Sequence, residues 1–201
     1  MDLTAIMKLR LRILPVCFLI LFACQPVRVI TYPERTPSTK PPSPTETTPS
    51  KPSPEKTYSE TVSGWKSYQD LVKWLEKNFS LDMARFKKFE GTLPPPRTPE
   101  ETFNLMSGIY IDVATFAKET LNRIDPSYKA KIVVLLIRPN VANHYVCSFV
   151  KNGKLFIIDY GTPYQAVTGI HGPYDSLEEF KKFYEKNHPL KRHVEAIRYL
   201  H

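Results

Sequence analysis

Residues 26–57 contain nine prolines and eleven serines or threonines in 32 positions, with almost no large aliphatic side chains. A stretch of this composition cannot bury enough apolar surface to offset the entropy of ordering its backbone, so it is predicted to stay extended. In polyproline geometry, at about 3.1 Å per residue, it reaches at most ~100 Å. This segment splits the 201 residues into a short leader, a stalk and a single remaining block large enough for one folded domain.

The leader supports that division. Lys8, Arg10 and Arg12 precede an apolar run, Ile13–Ala23, which ends at Cys24. Eleven apolar residues are too few for a helix across a bilayer core, which needs about twenty, and they suit the hydrophobic region of an export signal. Leu21-Phe22-Ala23-Cys24 resembles the bacterial lipobox, with Leu three positions before the cysteine and a small residue just before it. That resemblance implies cleavage before Cys24 and attachment of lipid, including palmitate, to its thiol. The expected organisation is a lipoprotein signal peptide at 1–23, a stalk at 24–57 and a folded domain at 58–201. The expected location is the extracytoplasmic face of the cell membrane or outer membrane, with the membrane as a partner through lipid on Cys24.

Charge narrows the partners. Of the net +8, residues 58–201 carry +4, from twenty Lys/Arg against sixteen Asp/Glu. This mild surplus suits a protein beside anionic lipid or cell-wall polymer and lacks the dense basic surface expected of a nucleic-acid binder. Cys147 is the single cysteine of the block, so no internal disulfide framework is expected. His171, His188, His193 and His201 show no ligand spacing, and neither a metal nor another cofactor is predicted. Lys181, Lys182, Lys186, Lys191 and Arg192 read as a solvated helix face, and Trp65 and Trp74 as core or cleft wall.

The periodicity of the block changes once. Helices are expected after Ser67, from Asp82, from Thr98 to about Met106, and over Ile109–Arg123. Lys131–Arg138 is then a β-branched run, apolar on both faces and so expected inside a sheet. His144–Val150 and Leu155–Asp159 flank the turn Asn152-Gly153, the strongest hairpin signal in the chain. A loop over Tyr160–Tyr174, a helix over Leu177–Lys186 and a final strand over Val194–Leu200 complete an α+β order, helices first and an antiparallel sheet after.

Three of these elements carry a pattern. Gly108-Ile109-Tyr110-Ile111-Asp112-Val113-Ala114 heads a helix, His144 begins a strand 34 residues after Tyr110, and Asp159 ends the next strand 15 residues later. The pattern resembles the transglutaminase-like domain of the papain-type cysteine-enzyme superfamily over about residues 60–165. That family carries Gly-x-Cys-x-Asp-x-Ala at a helix start, then His and Asp on paired strands. The resemblance implies helices packed on an antiparallel sheet, with the helix N-terminus and an imidazole activating a thiolate and a carboxylate orienting the ring.

Position 110 departs from that pattern. A phenol, with a pKa near 10, is a poor nucleophile at neutral pH, and its oxygen lies further from the backbone than a sulfur would. Cys147 stands three residues beyond His144 on the same strand, so it is expected on the opposite face, in the core. Tyr110, His144 and Asp159 thus form the candidate site as a degenerate triad, with Tyr110 expected to plug the cleft and donate to His144. His144 also reads as an ordinary strand-end histidine, and Asp112 as a dipole-stabilising or surface-paired carboxylate. Two functions follow: a catalytically silent domain that binds a protein or cell-wall partner or serves envelope assembly, or an enzyme of altered mechanism acting on peptide or glycan through Tyr110, His144 and Asp159. A spacer domain without a ligand is a third.

Overall fold

The computed structural model describes residues 55–89, 92–138 and 143–200. The leader, most of the stalk and Cys24 lie outside the described residues.

Helix starts follow their caps. Thr57 and Glu60 exchange side-chain and backbone hydrogen bonds at the head of α1 (Tyr58–Ser63), a helix the sequence reading did not include. At α2 (Tyr68–Asn78), Asp70 accepts from the Lys66 and Ser67 amides. Asp82 caps α3 (Met83–Lys88) by accepting from the Arg85 amide. Thr98 and Glu101 close a reciprocal box over α4 (Pro99–Leu105), with Pro99 at its first position. Two short parallel strands, β1 (Ser80–Leu81) and β2 (Ser107–Gly108), tie the α3 and α4 segments together immediately before α5 (Tyr110–Ile124).

The five remaining strands are β3 (Lys131–Arg138), β4 (His144–Lys151), β5 (Lys154–Asp159), β6 (Gly169–Tyr174) and β7 (His193–Tyr199). They form one antiparallel sheet in the order β6-β5-β4-β3-β7. As expected of a run apolar on both faces, β3 has neighbours on both sides. The β4–β5 turn places Asn152 and Gly153 at φ 52° and 73°, the left-handed pair that a two-residue hairpin requires.

The sheet has helices on both faces. Cys147 and Phe149 of β4 pack with Val113, Phe116 and Ala117 of α5 and with Leu71 and Leu75 of α2. Val146, the residue just before Cys147, packs on the other side with Phe180 and Tyr184 of α6 (Leu177–Asn187). This alternation is the period-two geometry of a strand. The architecture is α+β, with most helices on one face and α6 on the other.

The segment expected as a loop at Tyr160–Tyr174 instead contains β6, paired with β5. Two glycines and Pro173 hide it from a propensity reading, but an edge strand tolerates a missing N–H. Gly172 is fixed by contact: at φ 132° a Cβ there would lie 2.8 Å from the Leu155 carbonyl oxygen. No helix among the described residues is long and apolar enough to cross a membrane.

Candidate functional site

The start of α5 is built around Asp112, the third residue of the helix. Its carboxylate is fully buried and turns back to accept from the Ile109 amide at 3.0 Å and the Arg97 amide at 2.8 Å. Arg85 closes on it through Nε at 2.9 Å and Nη2 at 3.3 Å. Arg97 in turn pairs with Asp82 at 2.9 Å and donates to the Ser107 carbonyl. An anion here satisfies the N-cap amide of α5, which would otherwise lack a partner, and interacts favourably with the helix dipole. The surface salt-bridge reading of Asp112 is overturned by its burial. Gly108 makes room for this folded-back side chain, since a Cβ at 108 would lie 2.7 Å from the Asp112 Cβ.

Tyr110, the first residue of α5, is 6% exposed. Its ring stacks on Tyr145 (5.6 Å between centroids, 16°) and meets Phe86 edge-on (6.1 Å, 89°). Burial, reinforced by the Asp112 carboxylate, raises its phenol above the ordinary value, so it stays protonated at neutral pH.

His144, at the head of β4, and Asp159, at the end of β5, are both buried and joined Nε2 to Oδ2 at 2.7 Å. The second carboxylate oxygen of Asp159 accepts from the Gly161 amide at 3.1 Å. With Nε2 committed to the carboxylate, Nδ1 is the nitrogen left for a ligand. The His144 ring lies edge-on to Tyr110, 6.1 Å between centroids at 72°, and faces Tyr184 at 5.9 Å and 27°. The topology therefore brings Tyr110, His144 and Asp159 together. Among the described residues, however, no hydrogen bond joins the Tyr110 hydroxyl to the His144 ring. The expected donation is replaced by an aromatic contact, because the Tyr110 ring lies flat against Tyr145.

These rings border a cleft of about 390 Å³, so Tyr110 walls the cleft instead of plugging it. Of its lining the sequence pattern marks only Tyr110 and His144. Tyr184 reaches it from α6, and Gly161 from the turn after β5. His188 and Arg192 come from the turn that follows α6. Arg192 belongs to this lining and not to the solvated face on which it was expected, since β7 draws the turn back over the sheet end. No local signal marks these residues; the return of α6 across the sheet brings Tyr184, His188 and Arg192, and the turn after β5 brings Gly161.

The remaining sequence candidates lie elsewhere. Cys147 is fully buried among the α5 contacts, where burial pushes its thiol well above the ordinary value. His171 bonds the Val167 carbonyl, and His193 pairs with Glu185. Among the described residues, no group of three or more His, Cys, Asp or Glu side chains is placed to hold a metal ion. Trp74 stacks on Phe103 in the core beside Trp65, and neither Trp borders this cleft.

No curated protein matches the chain. A family model described as a transglutaminase-like domain does match, over residues 56–182, from the start of α1 into α6. That span includes the α5 start and the β4–β5 hairpin with its His–Asp pair, and by it the chain belongs to the transglutaminase-like domain family.

Proposed function

We propose that the protein is a lipid-anchored, extracytoplasmic binding module whose transglutaminase-like domain has lost its catalytic nucleophile. The observation that carries this reading is Tyr110 at the first position of α5, beside the bonded pair His144–Asp159. The position offers what a thiolate needs: a helix N-terminus and a carboxylate-oriented imidazole close by. A buried phenol with a raised pKa cannot use either. The frame persists, and the cleft beside it is available for recognition, whether of a protein or of cell-wall material, in envelope assembly. In this reading residues 1–23 are removed on export, Cys24 carries the lipid, and residues 24–57 hold the domain away from the membrane.

The full-length protein incubated with glutaminyl peptides and amine donors is expected to give no crosslinked product, read by mass spectrometry. Turnover that disappears in His144→Ala would overturn the assignment of silence. For the anchor, radiolabelled palmitate should enter the wild-type chain and not Cys24→Ser, which should leave the membrane fraction. Equal labelling of the two would remove the lipid-anchored part of the proposal.

A further inference from the structure

The cleft beside His144 has a polarity of its own. Among the described residues no Asp or Glu contributes to its lining, and the neighbouring Asp159 already uses one oxygen on His144 and the other on the Gly161 amide. Its lining includes Arg192. Arg85, Arg97, Arg123 and Arg138 each bond a protein oxygen. Arg192, although half-buried, makes no hydrogen bond or ion pair among the described residues. Its position is set by a closed turn: the Lys191 amide donates to the His188 carbonyl at 2.9 Å, with Lys191 at φ 46°.

His188 adds a second donor to the same lining. Its Nδ1 accepts from the Leu190 amide at 3.2 Å, so the proton of the neutral ring sits on Nε2. The ring is held between Tyr164 (4.6 Å, 63°) and Tyr184 (5.1 Å, 44°), which fixes its orientation. The same cleft has apolar wall from Met83, Phe86 and Ile137.

We propose that this cleft captures the C-terminal carboxylate of a peptide, with Arg192 as its cationic anchor and His188 Nε2–H as a second donor. The inference deepens the binding-module reading and rests on it. A guanidinium matches a carboxylate with two parallel hydrogen bonds. The apolar wall accepts a side chain, and His144 Nδ1, which has no hydrogen bond among the described residues, can accept a peptide amide. A ligand with one anionic end and an apolar body fits this mixed lining better than a compact inorganic anion, which would leave the apolar wall unused.

Isothermal titration of the full-length chain in detergent tests this, with N-acetyl tripeptides ending in Ala or Phe, each as free acid and as amide, and with inorganic phosphate. The acids are expected to bind at least about tenfold more tightly than their amides, the loss expected when a charge-assisted contact is removed. Arg192→Met should abolish that difference and Arg192→Lys should keep part of it. Equal binding of acid and amide overturns the proposal, as does absence of peptide binding or a preference surviving in Arg192→Met. Phosphate binding as tightly as the peptides would reassign the site to free anions. If Arg192→Met fails to fold, the acid–amide comparison on the wild type decides alone. Turnover of a peptide would sink the silent-module reading instead, and is seen separately as product.

Discussion

Gly161 lies so close to the first turn of α5 that a Cβ on it would sit 2.3 Å from the Tyr110 Cα and 3.0 Å from the Tyr110 nitrogen. The turn that leaves β5 and the head of α5 therefore touch backbone to backbone, and this contact sets the distance between Tyr110 and the His144–Asp159 pair. Backbone atoms cannot swing aside as a flexible side chain can, so Gly161→Ala must push the two elements apart. The expected cost is about 1–3 kcal/mol, read by urea unfolding. Ala at Gly64, whose Cβ would meet only the Thr61 carbonyl oxygen at 3.5 Å, should cost less.

Asp112 joins three segments through one carboxylate, and its two replacements should separate charge from hydrogen bonding. Asp112→Ala leaves Arg85 without its partner and the Ile109 and Arg97 amides without an acceptor. Removing one member of a buried ion pair costs about 3–5 kcal/mol. Asp112→Asn keeps an acceptor oxygen and should cost less than Ala. Unfolding midpoints of the two variants check the ranking, and equal losses would mean that the hydrogen bonds matter little.

Much of this arrangement was legible in the sequence because it is local. Thr98-Pro99-Glu100-Glu101 announces a helix by its cap chemistry, and Asn152-Gly153 announces a hairpin by its need for left-handed backbone. Gly108, Asp112, His144 and Asp159 kept recognisable spacing because a helix head and a hairpin fix their own internal distances. What stayed hidden depends on contacts between distant segments. Residues 169–174 become a strand because β5 offers a free edge, despite glycines and a proline that argue locally for a loop. Arg192 reads as one more solvated charge until α6 and β7 fold its turn over the cleft. The orientation of Tyr110 was missed for the same reason: its stacking partner Tyr145 lies 35 positions away in the sequence.

Tyr110→Cys should place a reactive thiol where the phenol now sits, if the frame around it retains its activating geometry. A sulfur at the head of a 15-residue helix gains from the unpaired amides and the dipole there, and His144 lies beside it. Cys147 supplies an internal contrast, since burial raises its thiol and the core excludes reagent. Iodoacetamide applied to the native variant at neutral pH, with modified peptides mapped by mass spectrometry, should alkylate position 110 well before Cys147. Adding His144→Ala should slow the reaction at 110. A cysteine at 110 as inert as Cys147 would show that the site no longer activates a nucleophile.

His188 gives the domain an acid-side dependence whose sign follows from its surroundings. Burial lowers its pKa below 6.5, and Arg192 and His144 add to the effect while Asp159 opposes it. Tyr184, one of the rings beside it, has its phenol raised by burial and stays neutral in this range. Above pH 6.5 the imidazole is neutral in both folded and unfolded chains, so it contributes its full share of stability there. As pH falls below 6.5 the unfolded chain takes up a proton before the folded one does, and stability is lost until the pH passes the lower folded pKa. His188→Gln should remove that part of the decline. Urea midpoints between pH 7.5 and 4.5 should converge for wild type and variant toward the acid end, provided the variant is the less stable of the two at neutral pH. Parallel curves across the whole range would show that the ring at 188 titrates alike in folded and unfolded chains.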